Sequence, residues 1–232
     1  MARRLASLLV ALAGPLHLRF AALLVAALLG GGCGGGGEDD ETSSQSAPGC
    51  TAAEAPEPRE PEPRQAPSAE LDPDLKHTAV VQTNCGEFTI TLAPDRSPHA
   101  AASFAALASD GYFDDTTFHR IVPGFVIQGG DPTSTGTGGP GYTTVDAPAR
   151  ETQYTLGVVA MAKTGAEPRG AAGSQFFVVT SDELQLPADY AVIGEVTSGF
   201  DAVARIGVLG DPTTELPTIP IVVESIEIRR GS

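Results

Sequence analysis

The chemically most pointed stretch of this 232-residue chain is Phe118-His119-Arg120-Ile121-Val122-Pro123-Gly124-Phe125-Val126-Ile127-Gln128-Gly129-Gly130-Asp131, with Ser174-Gln175-Phe176-Phe177 following 43 residues later. Arg120 is a permanently charged guanidinium inside an alternating apolar run, where alternation puts it opposite His119 and on one face with Phe118 and Val122. A cation among apolar side chains needs partners, and Gln128 on the next run can steer it. The same pattern also suits a surface arginine whose stem lies over an apolar patch. The residues alone leave both open.

Other chemistries find no support. Gly136-Thr137-Gly138-Gly139-Pro140-Gly141 has the letters of a dinucleotide fingerprint, but Pro132 and Pro140 put it in a long loop rather than between a strand and a helix. The four histidines, at 17, 77, 99 and 119, are scattered, so no metal-ligand cluster forms along the chain. No G-x-S-x-G nucleophile elbow is present. Asp114-Asp115 reads as a turn. A net charge of −15 argues against a nucleic-acid partner held by phosphate neutralisation.

The elements that position Arg120 and Gln128 follow from composition. With 27 Gly and 19 Pro, the chain is no helical bundle. Strands are expected at Phe88–Leu92, 117–122, 125–128, 156–162, 175–179, 191–196 and 221–228. Ser97 followed by Pro98 reads as a helix start, Ala101, Phe104, Ala105 and Ala108 as its buried stripe and Gly111 as its stop. A second, short helix fits 200–206. Many short strands with two helices point to a barrel or sandwich over residues 76–232.

Two unlike segments precede that domain. Residues 1–33 carry an arginine-led start and a ten-residue apolar run, Phe20 to Leu29, ending in small residues, which reads as an export signal. Cys33 stands where a lipoprotein signal places its lipid-modified cysteine, although Gly30 occupies the position usually held by Leu. The expectation is an exported protein anchored to the outer side of the cell membrane by a lipid on Cys33, with plain secretion as the alternative. Residues 34–75 carry 11 acidic residues against Arg59 and Arg64, seven Pro and no aromatic residue, and read as a disordered tether. Cys50 and Cys85 can pair or stay as thiols, and the sequence leaves that open.

The two motifs FHRIVPGFVIQGGD and GSQFF, with Gly111-Tyr112-Phe113-Asp114 and Val159-Ala160-Met161-Ala162, closely resemble the cyclophilin family of peptidyl-prolyl cis–trans isomerases over about 150 residues, Val80 to Ile228. The resemblance implies an eight-stranded antiparallel β-barrel capped by two α-helices, with the site on its outer face. It implies that Arg120 stabilises the twisted amide and that Gln128 holds Arg120. It assigns Phe125, Val126, Phe177 and Leu186 to a proline socket, places Met161, Ala162 and Lys163 along the groove with their backbone pairing to an extended substrate, and gives Gln175 a contact with the peptide. The Gly-rich loop would edge a neighbouring pocket for residues before the proline. Neither cofactor nor metal is implied, and the partners would be proline-containing polypeptides met by a monomer. The chain departs from the eukaryotic form at Lys163, Gln185 and Tyr190, of which Lys163 would contribute mainly backbone and Tyr190 would still wall the proline pocket. Gln185 replaces a tryptophan used in cyclosporin contact, so weak cyclosporin binding is expected. The rival expectation is a catalytically weak module that only binds proline segments.

Overall fold

The computed structural model describes residues 46–60, 63–182 and 185–231. From Lys76 the chain runs β1 (Lys76–Thr83), β2 (Gly86–Leu92), α1 (Pro98–Ser109), β3 (Thr116–Thr117), β4 (Arg120–Val122), β5 (Val126–Gly129), β6 (Thr144–Val145), β7 (Val158–Met161), β8 (Ala171–Ala172), β9 (Phe176–Val179), β10 (Val192–Ser198), α2 (Phe200–Gly207) and β11 (Val222–Gly231). Both expected helices and all seven expected strands are present. β1 was not foreseen, although it pairs with both β2 and β11. Its apolar content is only the three residues Ala79–Val81, too short a run to mark a strand.

Among the described residues, nine strands form one antiparallel sheet in the order β3-β11-β1-β2-β10-β7-β9-β5-β4. The two ends of that order, β3 and β4, are separated in the chain only by Phe118 and His119. They are therefore the two halves of one bent strand, the sheet curls back on itself, and eight strands go round. The bend corrects one sequence expectation. Arg120 does share a face with Val122, but Phe118 turns into the barrel core, because pairing is interrupted between β3 and β4. Inside the barrel, Phe88, Phe104, Phe113, Phe118 and Phe176 are fully buried, with Phe176 packed edge-on against Phe104 at 5.3 Å between ring centres.

Helix α1 buries its Ala/Phe stripe against the barrel, yet Ser97 does not cap it: its hydroxyl makes no capping bond. The orphan amide of Ala100 donates instead to Asp146 Oδ2 at 2.7 Å, which brings a carboxylate to the positive end of the helix. Asp146 Oδ1 also holds His99 Nδ1 at 2.7 Å, and Glu70 lies 3.4 Å from His99 Nε2. The hydrogen bond to Asp146, with the nearby carboxylate charges, raises the His99 pKa above the ordinary value of 6.5.

The described part of the acidic segment differs from a free tether. Residues 46–60 and 63–75 form no helix or strand up to Leu75, but they are fastened to the domain. Cys50 and Cys85 form a disulfide, and the Thr51 amide donates to Asn84 O at 2.7 Å. Further along, the amides of Arg59 and Arg64 donate to Pro132 O and Pro140 O at 2.9 and 2.7 Å, and Leu71 packs on the core. Proline blocks regular structure here without preventing an extended chain from using its remaining N–H groups on a neighbour. The signal-like residues 1–33, Cys33 and residues 34–45 lie outside the described residues. Among the described residues, no helix is long and apolar enough to cross a membrane.

Two expectations follow. The disulfide spans a sequence separation of 35, and in the chain-entropy view a loop of that size constrains the unfolded chain by about 4 kcal/mol. Denaturant unfolding of Cys50→Ser should show a loss of about 2–4 kcal/mol; an unchanged midpoint would mean that the cross-link contributes nothing. Because the folded pKa of His99 is raised, its contribution is fully present below about pH 6.5 and is lost as pH rises through the folded value. An NMR titration of Asp146→Asn should move the His99 pKa down.

Candidate functional site

Strand register assembles the site. Arg120 pairs with Gln128, Gln128 with Phe177, Phe177 with Ala160 and Ala160 with Val192, a single row across five strands. Side chains alternate along each strand, so this row and its second neighbours face outward while Ile121, Ile127, Phe176, Val178, Val159 and Ile193 fill the barrel. The two adjacent phenylalanines of the GSQFF motif are thereby divided, Phe176 to the core and Phe177 to the site. Val126, Val158, Ala160, Phe177, Val179, Val192 and Tyr154 make a second apolar cluster on the outer face, with Phe125, Ala162, Leu186 and Tyr190 packed at its edge.

A pocket of about 150 Å³ opens over this cluster, lined by Arg120, Phe125, Val126, Gln128, Ala162, Lys163, Phe177, Leu186 and Tyr190. It unites nine of the expected site residues. Phe177, only 5% exposed, meets the Tyr190 ring edge-on at 5.3 Å. Lys163 Nζ stands 5.8 Å from the centre of that ring, a cation–π contact at the rim. Gln175 lines the neighbouring hollow instead, and Met161, expected to meet the substrate through its backbone, has its side chain fully buried in the barrel core, because it lies one residue off the outward-facing Ala160.

The guanidinium is held from two sides. Arg120 Nη1 donates to Gln128 Oε1 at 3.2 Å, and Arg120 Nε donates to Glu215 Oε2 at 2.7 Å. Nη2 makes no hydrogen bond among the described residues. The chain of bonds continues from Gln128 Nε2 to Gln175 Oε1 at 3.0 Å, and from Gln175 Nε2 to Gly138 O at 3.0 Å. Gln175 thus ties the charged end of the site to the Gly-rich loop. Both partners of the Arg120–Glu215 pair are about a third or more exposed, 34% and 44%, so the pair adds only about 0–1 kcal/mol to stability. Its effect is orientation.

The Gly-rich loop borders a second hollow of about 560 Å³, which is also lined by Gln175 and shares Gln128, Ala162 and Lys163 with the first pocket. Asp131 organises the loop from beneath, accepting from the Thr133 amide and hydroxyl and from the Gly138 amide. Burial alone would raise the Asp131 pKa, but these hydrogen bonds hold its carboxyl below the usual carboxylate range. Two glycines allow the close approach. Gly130 has φ +84°, and a Cβ there would lie 2.5 Å from Ser174 O, while a Cβ on Gly138 would collide with Asp131. Burial, aided by the Arg120 charge and opposed by that of Asp131, lowers the pKa of His119, so the imidazole beside Arg120 stays uncharged to lower pH than usual.

Sequence reasoning missed Glu215 and Tyr154. Glu215 lies 95 residues from Arg120, on the α2–β11 connection, with φ +61°. A lone Glu in a Thr-rich turn gives no signal of its own. Tyr154 is 2% exposed, and its hydroxyl donates to Tyr190 O at 2.8 Å while accepting from Tyr190 N at 2.9 Å. It fixes the backbone of the residue that walls the pocket. Gln185 is exposed and lines a separate depression beside Tyr154 and Leu186.

Residues 78–228 match the model of the family described as cyclophilin-type peptidyl-prolyl cis-trans isomerase. The chain is 42% identical over 111 residues to peptidyl-prolyl cis-trans isomerase B of Bacillus subtilis, covering 47% of this chain and 76% of that protein. It is 35% identical over 172 residues to peptidyl-prolyl cis-trans isomerase A of Mycobacterium tuberculosis, covering 65% and 91%. A Cryptosporidium parvum cyclophilin-type isomerase superposes with TM-score 0.62 at 31% identity, covering 68% of this chain and 99% of that one. The crystal structure of that protein in the presence of the dipeptide Ala-Pro gives 0.61 at 33% identity, covering 66% and 98%.

Removing the hydroxyl in Tyr154→Phe leaves two backbone groups of Tyr190 without their partner, at a cost of about 1–3 kcal/mol. Denaturant unfolding should register that loss; a change below about 0.5 kcal/mol, ordinary for an uninvolved position, would show that the hydroxyl is not a support.

Proposed function

The chain belongs to the cyclophilin-type peptidyl-prolyl cis–trans isomerases, and from that membership we propose how its own residues turn over an X–Pro bond and where it works. It is an enzyme that catalyses cis–trans isomerisation of peptidyl-prolyl bonds. Amide resonance sets a barrier of about 18–20 kcal/mol, and uncatalysed exchange takes tens to hundreds of seconds. At the barrier top the amide is twisted, conjugation is lost, and the proline nitrogen becomes pyramidal and basic.

The pocket supplies what that change needs. The proline ring seats on Phe177 between Val126, Leu186 and Tyr190, where burial of its methylenes fixes it. The guanidinium of Arg120 stands at the polar edge of the same pocket. A fixed positive charge next to the nitrogen interacts more strongly with the localised lone pair of the twisted amide than with the planar amide, which is differential stabilisation of the transition state. No bond to the enzyme is made or broken. Glu215 and Gln128 keep the guanidinium in place, so little reorganisation accompanies the twist. The observation that carries this reading is the placement of Arg120 and Phe177 on one outward-facing row with Gln128 between them.

The substrates are proline-containing segments of folding polypeptides. We place the enzyme outside the cytoplasm, acting on exported proteins and anchored through a lipid on Cys33; simple secretion would serve the same substrates. Support comes from the signal-like composition of residues 1–33 and from the Cys50–Cys85 disulfide, a bond that persists in oxidising compartments.

Exchange NMR on a proline peptide should show catalysis by the chain and a fall in kcat/KM of about 100-fold or more in Arg120→Ala. Arg120→Lys keeps the charge but loses the planar fork that Glu215 and Gln128 grip, and should also fail. Wild-type rates in both variants would remove Arg120 from the mechanism.

A further inference from the structure

The Gly-rich loop is gripped from its outer side by the segment that precedes the barrel. The amide of Arg59 donates to the carbonyl of Pro132 at 2.9 Å and the amide of Arg64 to that of Pro140 at 2.7 Å. These carbonyls stand near the two ends of the loop, so the segment bridges its base. Pro63 fills the space beside Gly141, where a Cβ would come within 3.1 Å of the proline ring. The Arg59 guanidinium donates to the carbonyl of Tyr112, and that of Arg64 stands 6.0 Å from the centre of the Tyr112 ring. Either side of this grip is itself anchored. The Cys50–Cys85 disulfide and the bond from Thr51 to Asn84 lie before it, and Leu71 on the core and the Asp72 carbonyl bonded to His77 lie after it.

We propose that Arg59 and Pro63-Arg64 are a brace that sets the position of the Pro132–Gly141 loop, and through it the fit of the adjoining cleft to substrate residues that precede the proline. The proposal rests on the isomerase reading and adds a specificity element supplied by the acidic segment. Gly136, Gly138, Gly139 and Gly141 make the loop costly to order. From inside, Asp131 and Gln175 restrain it through the bonds described above, and the Ser134 hydroxyl meets that of Thr117 at 3.4 Å. The opposite side of the same loop, Gly136 to Thr143, lines the 560 Å³ hollow beside the proline pocket. A loop held in one position presents a ready-made wall. A loop that visits it only part of the time weakens every substrate that uses the wall, in proportion to the fraction of time lost. A substrate too short to reach the wall does not feel the difference.

The brace acts through backbone N–H groups, which gives a clean test. In the full chain, Arg59→Pro with Arg64→Pro deletes both donors in a segment already rich in proline, whereas Arg59→Ala with Arg64→Ala keeps them. Exchange NMR would measure kcat and KM for a capped Ala-Pro dipeptide and for a peptide with four residues before the proline. The expected result is a rise in KM of about three- to tenfold for the long peptide in the proline double variant, with kcat little changed, the dipeptide within about twofold of the unaltered chain, and a smaller effect in the alanine double variant. A long-peptide KM within about twofold of the unaltered chain overturns the brace. So does an equal loss of kcat/KM for both substrates, which would mark a general effect on the fold. Absence of turnover by the unaltered chain would overturn the isomerase reading instead.

Discussion

A guanidinium pinned across the rim of an apolar pocket is the arrangement on which the rest of this molecule depends. The bond from Arg120 to Gln128 exists because β4 and β5 pair with these two residues in register, and the bond to Glu215 exists because the α2–β11 connection returns to the same edge. Neither bond contributes much to stability at this degree of exposure. Each restricts a long side chain to one orientation, so its charge is already placed when a substrate amide twists. Below it, Phe177 forms a floor and Tyr190 a wall, and the backbone of Tyr190 is fixed in turn by the Tyr154 hydroxyl.

Closure of the barrel makes this placement robust. A sheet whose first and last strands are halves of one bent strand has no open edge on which register could slip. The pleat then sorts side chains between two apolar clusters. One fills the barrel and holds the fold; the other lies outside and forms the site. The division of Phe176 from Phe177, and of Met161 from Ala160, follows from the period of two and nothing else. It also explains how so apolar a surface persists beside water: Arg120, Gln128 and Lys163 line its rim.

Much of this was legible in the sequence because local patterns and long motifs agreed. Alternation marked seven strands, Pro98 and Gly111 bracketed the first helix, and the resemblance located the pocket residues. Features set by tertiary meeting were not legible. Glu215 reaches Arg120 only after the barrel has closed, and Asp146 replaces Ser97 as the partner of the α1 amides only because β6 ends beside that helix. Phe118 defied alternation at the bend that closes the barrel. The acidic segment misled for a different reason. Its composition correctly forbids a core of its own, but says nothing about an extended chain bonded to a neighbouring loop through backbone amides and a disulfide.

Glu215 and Gln128 can orient the group at position 120, but only its positive charge distinguishes the twisted amide from the planar one. The measurement that isolates that claim replaces Arg120 with citrulline by semisynthesis, which keeps the planar shape and the N–H groups that bond Glu215 and Gln128, puts a carbonyl oxygen in place of the other terminal nitrogen, and removes the charge. Exchange NMR on a proline peptide would then compare the two proteins at equal binding. The citrulline protein is expected to lose about 100-fold in kcat. A rate within about twofold of the arginine protein would contradict it and leave orientation, rather than charge, as the source of catalysis.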